Sequence, residues 1–218
     1  MNTTLKPRAL LIGDYIEAPY HPLGAVEERL REILETEWQV TATDDYDSLQ
    51  YENISAYQLC ISYADRWDHP ITSSQTAGLI SYVSGGGGLL ALHNGISLQA
   101  RPEAAQLIGA RFTGHPAYQE LDFRIENTTH AMMRDVSPFT LEEEPYRFDI
   151  DDFSDHEVLL TYRHEERDWP AAWVRHYGLG RIAYLMPGHH LDSFMHAGYA
   201  DLVRNGARWA GQSRNRSV

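Results

Sequence analysis

The chain has 218 residues, of which 43% are hydrophobic and 22% charged, a composition typical of a globular protein and not of a disordered one. Its formal net charge of -13 argues against a nucleic-acid partner, because phosphate binding needs clustered lysine and arginine. The longest apolar runs are strand-sized, so we expect neither a transmembrane helix nor a membrane partner, and the N-terminus lacks a signal-peptide pattern. The single cysteine, Cys60, cannot form an internal disulfide, which makes the cytoplasm the expected location.

The first half of the chain alternates strand and helix patterns. RALLIGD (8–14) predicts a buried strand, and apolar residues at helical spacing follow over 22–37. QVTATD and YQLCISY predict the next two strands. A helix is expected over 72–83, then the strand GLLALH, then a short helix over 102–108. This alternation is typical of a doubly wound parallel sheet.

The pattern changes after about Phe112. Four strand-like segments follow with no long helix between them: ELDFRIE, EVLLTYR, PAAWVRHY and RIAYLMP. The last two predict a hairpin that turns at 178–180, and spacing predicts a helix over 193–210. We therefore expect one domain over 1–218, in which the second half adds antiparallel strands to the edge of the parallel sheet.

Polar side chains collect where the predicted parallel strands end, and open parallel sheets bind ligands at that edge. The candidates are Asp14, His21, Asp65, Arg66, Trp67, His93, Asn94, His115 and His189. Some have simpler interpretations. His21 precedes a proline at a helix start, where capping or solvent exposure is expected, and His115 lies in a Gly-His-Pro turn. His190 is expected at a helix start with Asp192 as the N-cap.

No metal motif has diagnostic spacing, so a metal site would have to be assembled from distant loops, for example by His93, His115 and His189. The run Glu142–Glu144 is typical of a solvated face, and only one of its members need point inward. The four glycines at 85–88 precede a strand, and no Gly-Lys-Ser/Thr follows them, which argues against a phosphate loop.

Five segments, in order, resemble the trehalose-utilisation (ThuA-like) family over about residues 7–210: GGGGLLALHNG, LIGARFTGHP, EEEPY, AAWVRHYGLGRIAYLMPGHH and NGARWA. The resemblance implies a flavodoxin-like sheet, as in class I glutamine amidotransferases, with His93 where those enzymes keep a cysteine nucleophile. The family's acidic motif matches Glu143–Tyr146, with Glu143 where Asp is usual. The first loop, GDYIEAPYHP, departs from the family's glycine- and histidine-rich loop, and only His21 corresponds.

The resemblance implies sugar metabolism, with action on an oxidised (keto) disaccharide. It argues against glutamine hydrolysis, because no cysteine or serine stands at the turn. In an enzyme, His93, His115 and His189 would bind a divalent metal such as zinc or iron, or polarise a carbonyl. Glu144 would act as general base and Tyr146 would orient it. The sugar would contact Asp14, His21, Trp67, Asn94, His115 and His189.

Isomerisation, elimination or hydrolysis would each fit such an enzyme. The alternative is a non-catalytic sugar-binding or regulatory domain, since the nucleophile is missing. A homodimer is expected because related folds often pair.

Overall fold

The computed structural model describes residues 5–212, so the two ends of the predicted 1–218 domain lie outside the described residues. The strands are β1 (Arg8–Gly13), β2 (Gln39–Thr43), β3 (Leu59–Tyr63), β4 (Gly88–Leu92), β5 (Ala110–Gly114), β6 (Gln119–Ile125), β7 (Phe139–Glu143), β8 (Arg147–Ile150), β9 (His156–His164), β10 (Arg167–Tyr177) and β11 (Gly180–Leu185). The α-helices are α1 (Glu27–Leu34), α2 (Tyr51–Ile54), α3 (Ser73–Ser84), α4 (Pro102–Ile108), α5 (Leu191–Met195) and α6 (Ala197–Ala210).

Nine strands form one mixed sheet in the order β2-β1-β3-β4-β11-β10-β9-β6-β7. The first five of these are parallel to one another, and the remaining four continue the sheet in antiparallel fashion. β5 and β8 pair separately. The predicted α/β fold, with a parallel sheet flanked by helices and added antiparallel strands, is confirmed.

One strand lies elsewhere than expected. β11 belongs to the segment predicted at the sheet's edge, yet it pairs in parallel with β4 inside the sheet. The reason is burial: Ile182–Leu185 are all fully buried, so this strand can be covered on both faces. The predicted hairpin is confirmed, because β10 and β11 are antiparallel neighbours joined by residues 178 and 179.

The glycine run that leads into β4 allows close packing. Gly85 is the C-cap of α3. A Cβ on Gly88 would lie 2.3 Å from the carbonyl oxygen of Ala210, so only glycine lets the end of α6 approach the start of β4. The run therefore fixes how β4 enters the centre of the sheet.

Two predicted helices are interrupted. The 22–37 helix is a 3₁₀ turn over Leu23–Ala25 followed by α1. The 193–210 helix is divided at His196, whose side chain caps α6 by accepting from the Tyr199 amide. The expected N-cap role of Asp192 is wrong, because His190 occupies the cap position of α5 and Asp192 lies in the first turn. Across residues 5–212, none of the helices is long and apolar enough to cross a membrane.

Candidate metal centre

Four side chains from distant parts of the sequence meet at one edge of the sheet. His21 lies after β1, His93 directly after β4, Glu144 after β7 and His189 after β11. One nitrogen or oxygen atom from each lies within 4.8 Å of the others. Strand order explains this convergence, because β1, β4 and β11 are parallel and their carboxyl ends share an edge.

His93 stands at a sharp turn from β4 into a 3₁₀ helix and has a φ of +43°, an unusual value for a residue other than glycine. Its ring is fully buried. The Nδ1 atom lies 2.6 Å from the Met186 carbonyl oxygen, which can only accept, so Nδ1 carries the hydrogen. Burial lowers the pKa of His93 to about 3, against the opposing effect of Glu144. The ring is therefore neutral, and its Nε2 atom has a free lone pair.

Glu144 lies at the centre of the cluster. Its Oε2 atom is 3.1 Å from His189 Nδ1, 3.4 Å from His93 Nε2 and 3.8 Å from His21 Nε2. Burial raises the pKa of this carboxyl, but the interactions with the three histidines outweigh burial and hold the pKa well below its usual range. Glu144 is thus a carboxylate that faces three imidazole nitrogens.

His21 is held between the cluster and a second carboxylate. Its Nδ1 atom lies 3.6 Å from Asp65 Oδ2, and its Nε2 atom lies 2.9 Å from His189 Nδ1. Burial lowers the pKa of His21, but Asp65 and Glu144 raise it by more, so the net shift is upward. The expected capping or solvent role is wrong, because the residue is only 5% exposed and its ring faces the other histidines.

Glu143 fixes the backbone next to the ligand candidate His189, a role that the sequence analysis missed. This fully buried carboxylate accepts hydrogen bonds from the amides of Gly188 (2.7 Å) and His189 (3.3 Å) and from the Ser193 hydroxyl. Burial raises the pKa of Glu143 to about 7, although those hydrogen bonds oppose the rise. Two of the three glutamates of the acidic run therefore point inward, where one was expected. Strand alternation with Phe139 and Leu141 was the available signal.

Tyr146, predicted as a site residue, is brought to the site. Its ring stacks on His93, with centroids 4.3 Å apart and planes at 30°. Its main-chain amide donates a hydrogen bond of 2.8 Å to the Glu144 carbonyl oxygen. Tyr146 therefore fixes the ring plane of His93.

His115, predicted as a metal ligand, lies outside the group of four. Its Nε2 atom is 3.6 Å from the other carboxylate oxygen, Glu144 Oε1, and its side chain is 36% exposed. The Nδ1 atom donates to the Pro116 carbonyl oxygen at 2.8 Å. The Gly114–Pro116 loop thus holds His115 on the solvent side of Glu144, and His21 occupies the position that we expected for it.

The remaining candidates do not join the cluster. Asp14 accepts from the Tyr46 hydroxyl and the Asp65 amide and pairs with Arg66 at 2.5 Å. Asn94 donates to the carbonyls of Tyr63 and Ala64, so both side chains brace the end of β3. Trp67 packs on Phe112 and lines a different cavity.

This mixed sheet, flanked by helices, is that of an α/β protein in which a histidine, His93, stands at the turn after β4. The family model described as "ThuA: Trehalose utilisation" matches residues 17–210, and the chain belongs to that family.

Solved structures share the fold. A putative ThuA-like protein from Parabacteroides merdae has a TM-score of 0.81 at 18% identity, covering 98% of this chain and 93% of that chain. A putative ThuA-like protein from Bacteroides uniformis has a TM-score of 0.78 at 19% identity, and the match covers 96% of this chain and 94% of that chain. A cytoplasmic protein from Salmonella typhimurium has a TM-score of 0.71 at 13% identity, covering 94% and 100%. Among curated proteins, none matches this chain.

Proposed function

We propose that this protein is a metal-dependent enzyme of carbohydrate metabolism, in which His21, His93, His189 and Glu144 bind a divalent transition metal ion such as zinc or iron. One observation carries the proposal. The buried Nε2 atom of His93 has no hydrogen-bond partner in the described part of the chain, and it points at a carboxylate oxygen 3.4 Å away. A lone pair facing an anion is unfavourable unless a cation lies between them.

The spacing of the four atoms supports a metal ion better than a proton. In a tetrahedral site with metal–ligand distances of about 2.1 Å, ligand atoms lie about 3.4 Å apart. The three nitrogens nearest to Glu144 Oε2 lie 3.1, 3.4 and 3.8 Å from it, and His21 Nε2 lies 2.9 Å from His189 Nδ1. Three imidazoles and one carboxylate are a donor set that suits zinc or iron.

The neighbours of the ligands favour the required tautomers. Met186 holds the hydrogen of His93 on Nδ1, and Asp65 attracts the hydrogen of His21 to Nδ1. In both rings the Nε2 lone pair is then available at the centre of the cluster. Such outer carboxylate and carbonyl partners are the usual means of orienting metal-binding histidines.

The proposed substrate is an oxidised (keto) sugar, on the support of the family's association with trehalose utilisation. A metal ion at this centre would polarise a substrate carbonyl and stabilise developing negative charge. Glu144, as a ligand, is then not the general base that the sequence suggested. His115 lies at the solvent side with Nε2 directed towards Glu144, and we assign the movement of a substrate proton to it.

The cytoplasm is the proposed location. One structural neighbour, from Salmonella typhimurium, is described as a cytoplasmic protein. The homodimer expected from the sequence stays a prediction.

The test combines metal analysis with an assay of oxidised and unoxidised disaccharides. Glu144→Gln removes the central carboxylate, and Glu142→Gln is its matched control, because Glu142 is exposed on the same acidic run. We expect turnover of a keto-disaccharide by the wild-type protein and by Glu142→Gln, and its loss in Glu144→Gln. Full activity in Glu144→Gln, or sugar binding without turnover by the metal-loaded wild type, would contradict the proposal.

A further inference from the structure

A cavity that none of the four metal-binding candidates lines has the composition of a small-molecule site. It has a volume of about 380 Å³, within the range of ligand pockets. Its lining consists of Trp67, Gln99, Ala100, Pro102, Ala105 and Arg111. No carboxylate lines it, although the chain carries 31 acidic residues against 18 lysines and arginines.

The polar side-chain groups of this cavity that are left for a ligand are donors. The carboxamide of Gln99 is occupied, because it donates to the Phe112 carbonyl and accepts from the Phe112 amide. The guanidinium of Arg111 and the indole N–H of Trp67 have no partner within residues 5–212. Asp149 faces Arg111 across the β5–β8 pair, yet no ion pair joins the two side chains. The site therefore favours a ligand rich in acceptors.

The apolar part of the cavity suits a ring. Trp67 is half-buried, with its indole supported by Phe112 at a centroid distance of 5.1 Å, so its orientation is fixed before a ligand binds. Ala100, Pro102 and Ala105 supply aliphatic walls. An aromatic face opposite small apolar groups binds the C–H face of a sugar ring, and a planar guanidinium binds carboxylate or phosphate in a two-pronged way.

We propose that the cavity at Trp67 and Arg111 is a second ligand site, which binds an anionic sugar with its ring on the Trp67 indole and its acidic group on Arg111. A sugar carboxylate and a sugar phosphate offer the same chemistry to the guanidinium. The rings of Phe112 and Tyr146 lie between Trp67 and His93. The proposed second site is thus separate from the candidate metal centre. Binding of a ligand at the second site does not depend on a metal ion at the metal centre.

The test is titration of ¹⁵N-labelled protein at constant ionic strength with glucuronate, glucose 6-phosphate and glucose. The chain has five tryptophans, and the indole signal that is missing from Trp67→Phe identifies Trp67. We expect one or both anionic sugars to shift that signal and to bind at least about tenfold more tightly than glucose, as charge-assisted hydrogen bonds imply. Binding of glucuronate alone or of glucose 6-phosphate alone supports the proposal and defines the anion.

Arg111→Gln should weaken the binding of the anionic sugars by about tenfold and leave the affinity for glucose unchanged. Arg134→Gln, another exposed arginine, is the matched control and should bind as the wild type does. Equal binding of glucose and the anions, no effect of Arg111→Gln, or no shift of the Trp67 signal would overturn the proposal. Repeating the titration with metal-free Glu144→Gln separates this result from that of the proposed function, because failure at one centre leaves the other measurable.

Discussion

The Nδ1 atom of His93 lies 2.6 Å from the carbonyl oxygen of Met186, the residue that directly follows β11. This hydrogen bond determines the tautomer of a histidine that burial keeps neutral, with a pKa of about 3. It follows that the other ring nitrogen, 3.4 Å from a Glu144 oxygen, presents a lone pair to that carboxylate. The arrangement is stable once a cation joins the two groups, and several consequences can be measured.

Asp65 should raise metal affinity without touching the metal. Its Oδ2 atom lies 3.6 Å from His21 Nδ1 and favours the tautomer that presents Nε2 to the cluster. We predict that Asp65→Asn weakens zinc binding by about 10–100-fold, the range typical of such outer partners. Competition with a chromogenic chelator measures the effect. Asp68→Asn, on the same loop and exposed, is the control, and equal affinities in the two variants would contradict this role.

Glu143 should make the metal-free protein less stable as the pH rises. Its pKa is about 7 in the folded protein against an ordinary value of 4.5, so between these values the folded state binds more protons than the unfolded state. The free energy of unfolding therefore carries a contribution that falls from pH 4.5 to 7. Glutamine cannot ionise, so Glu143→Gln should gain stability relative to wild type from pH 4 to pH 8, on the order of 3 kcal/mol.

Urea unfolding at the two pH values measures this difference. His93 has the opposite dependence, since its lowered pKa costs stability as the pH falls below its ordinary value of 6.5. Because both proteins retain His93, its contribution cancels in the comparison. A wild-type-minus-variant difference that is flat with pH would show that Glu143 is not protonated in this window.

Gly88 should be required for packing between β4 and α6. An added Cβ would lie 2.3 Å from the Ala210 carbonyl oxygen, which belongs to the backbone and cannot swing away. We predict that Gly88→Ala lowers the free energy of unfolding by about 1–3 kcal/mol, as overpacking does. Gly24→Ala, whose new Cβ would meet only the Tyr15 ring at 3.6 Å, should change it much less. Equal effects in urea unfolding would refute the packing role.

The sequence predicts the parallel core and the position of His93 well, because both depend on local signals: short apolar runs and the strand that ends in His-Asn-Gly. It misplaces β11 because an apolar strand contains no information about which neighbour it pairs with. It misjudges His21 and His115 for a similar reason. Both lie in loops next to proline, and only the tertiary structure shows that the His21 ring is buried against His189 while His115 stays exposed.

Glu143 shows a different limit. In a run of three glutamates, composition indicates a solvated face, whereas alternation along β7 places Glu143 on the same side as buried Phe139. Its burial is tolerated because two amides and a hydroxyl donate to it. Those donors come from residues 188–193, which are distant from Glu143 in the sequence. The sequence around Glu143 therefore does not show that its buried carboxylate has hydrogen-bond donors.

The most direct test of the account is the metal content of five single variants after reconstitution with zinc or iron and removal of unbound metal. The account predicts about one ion per chain in the wild type and in His115→Gln, and marked loss in His21→Gln, His93→Gln, His189→Gln and Glu144→Gln. Circular dichroism confirms that each variant is folded. A wild-type protein that retains no metal, or a His115→Gln variant that loses as much as His93→Gln does, would contradict it.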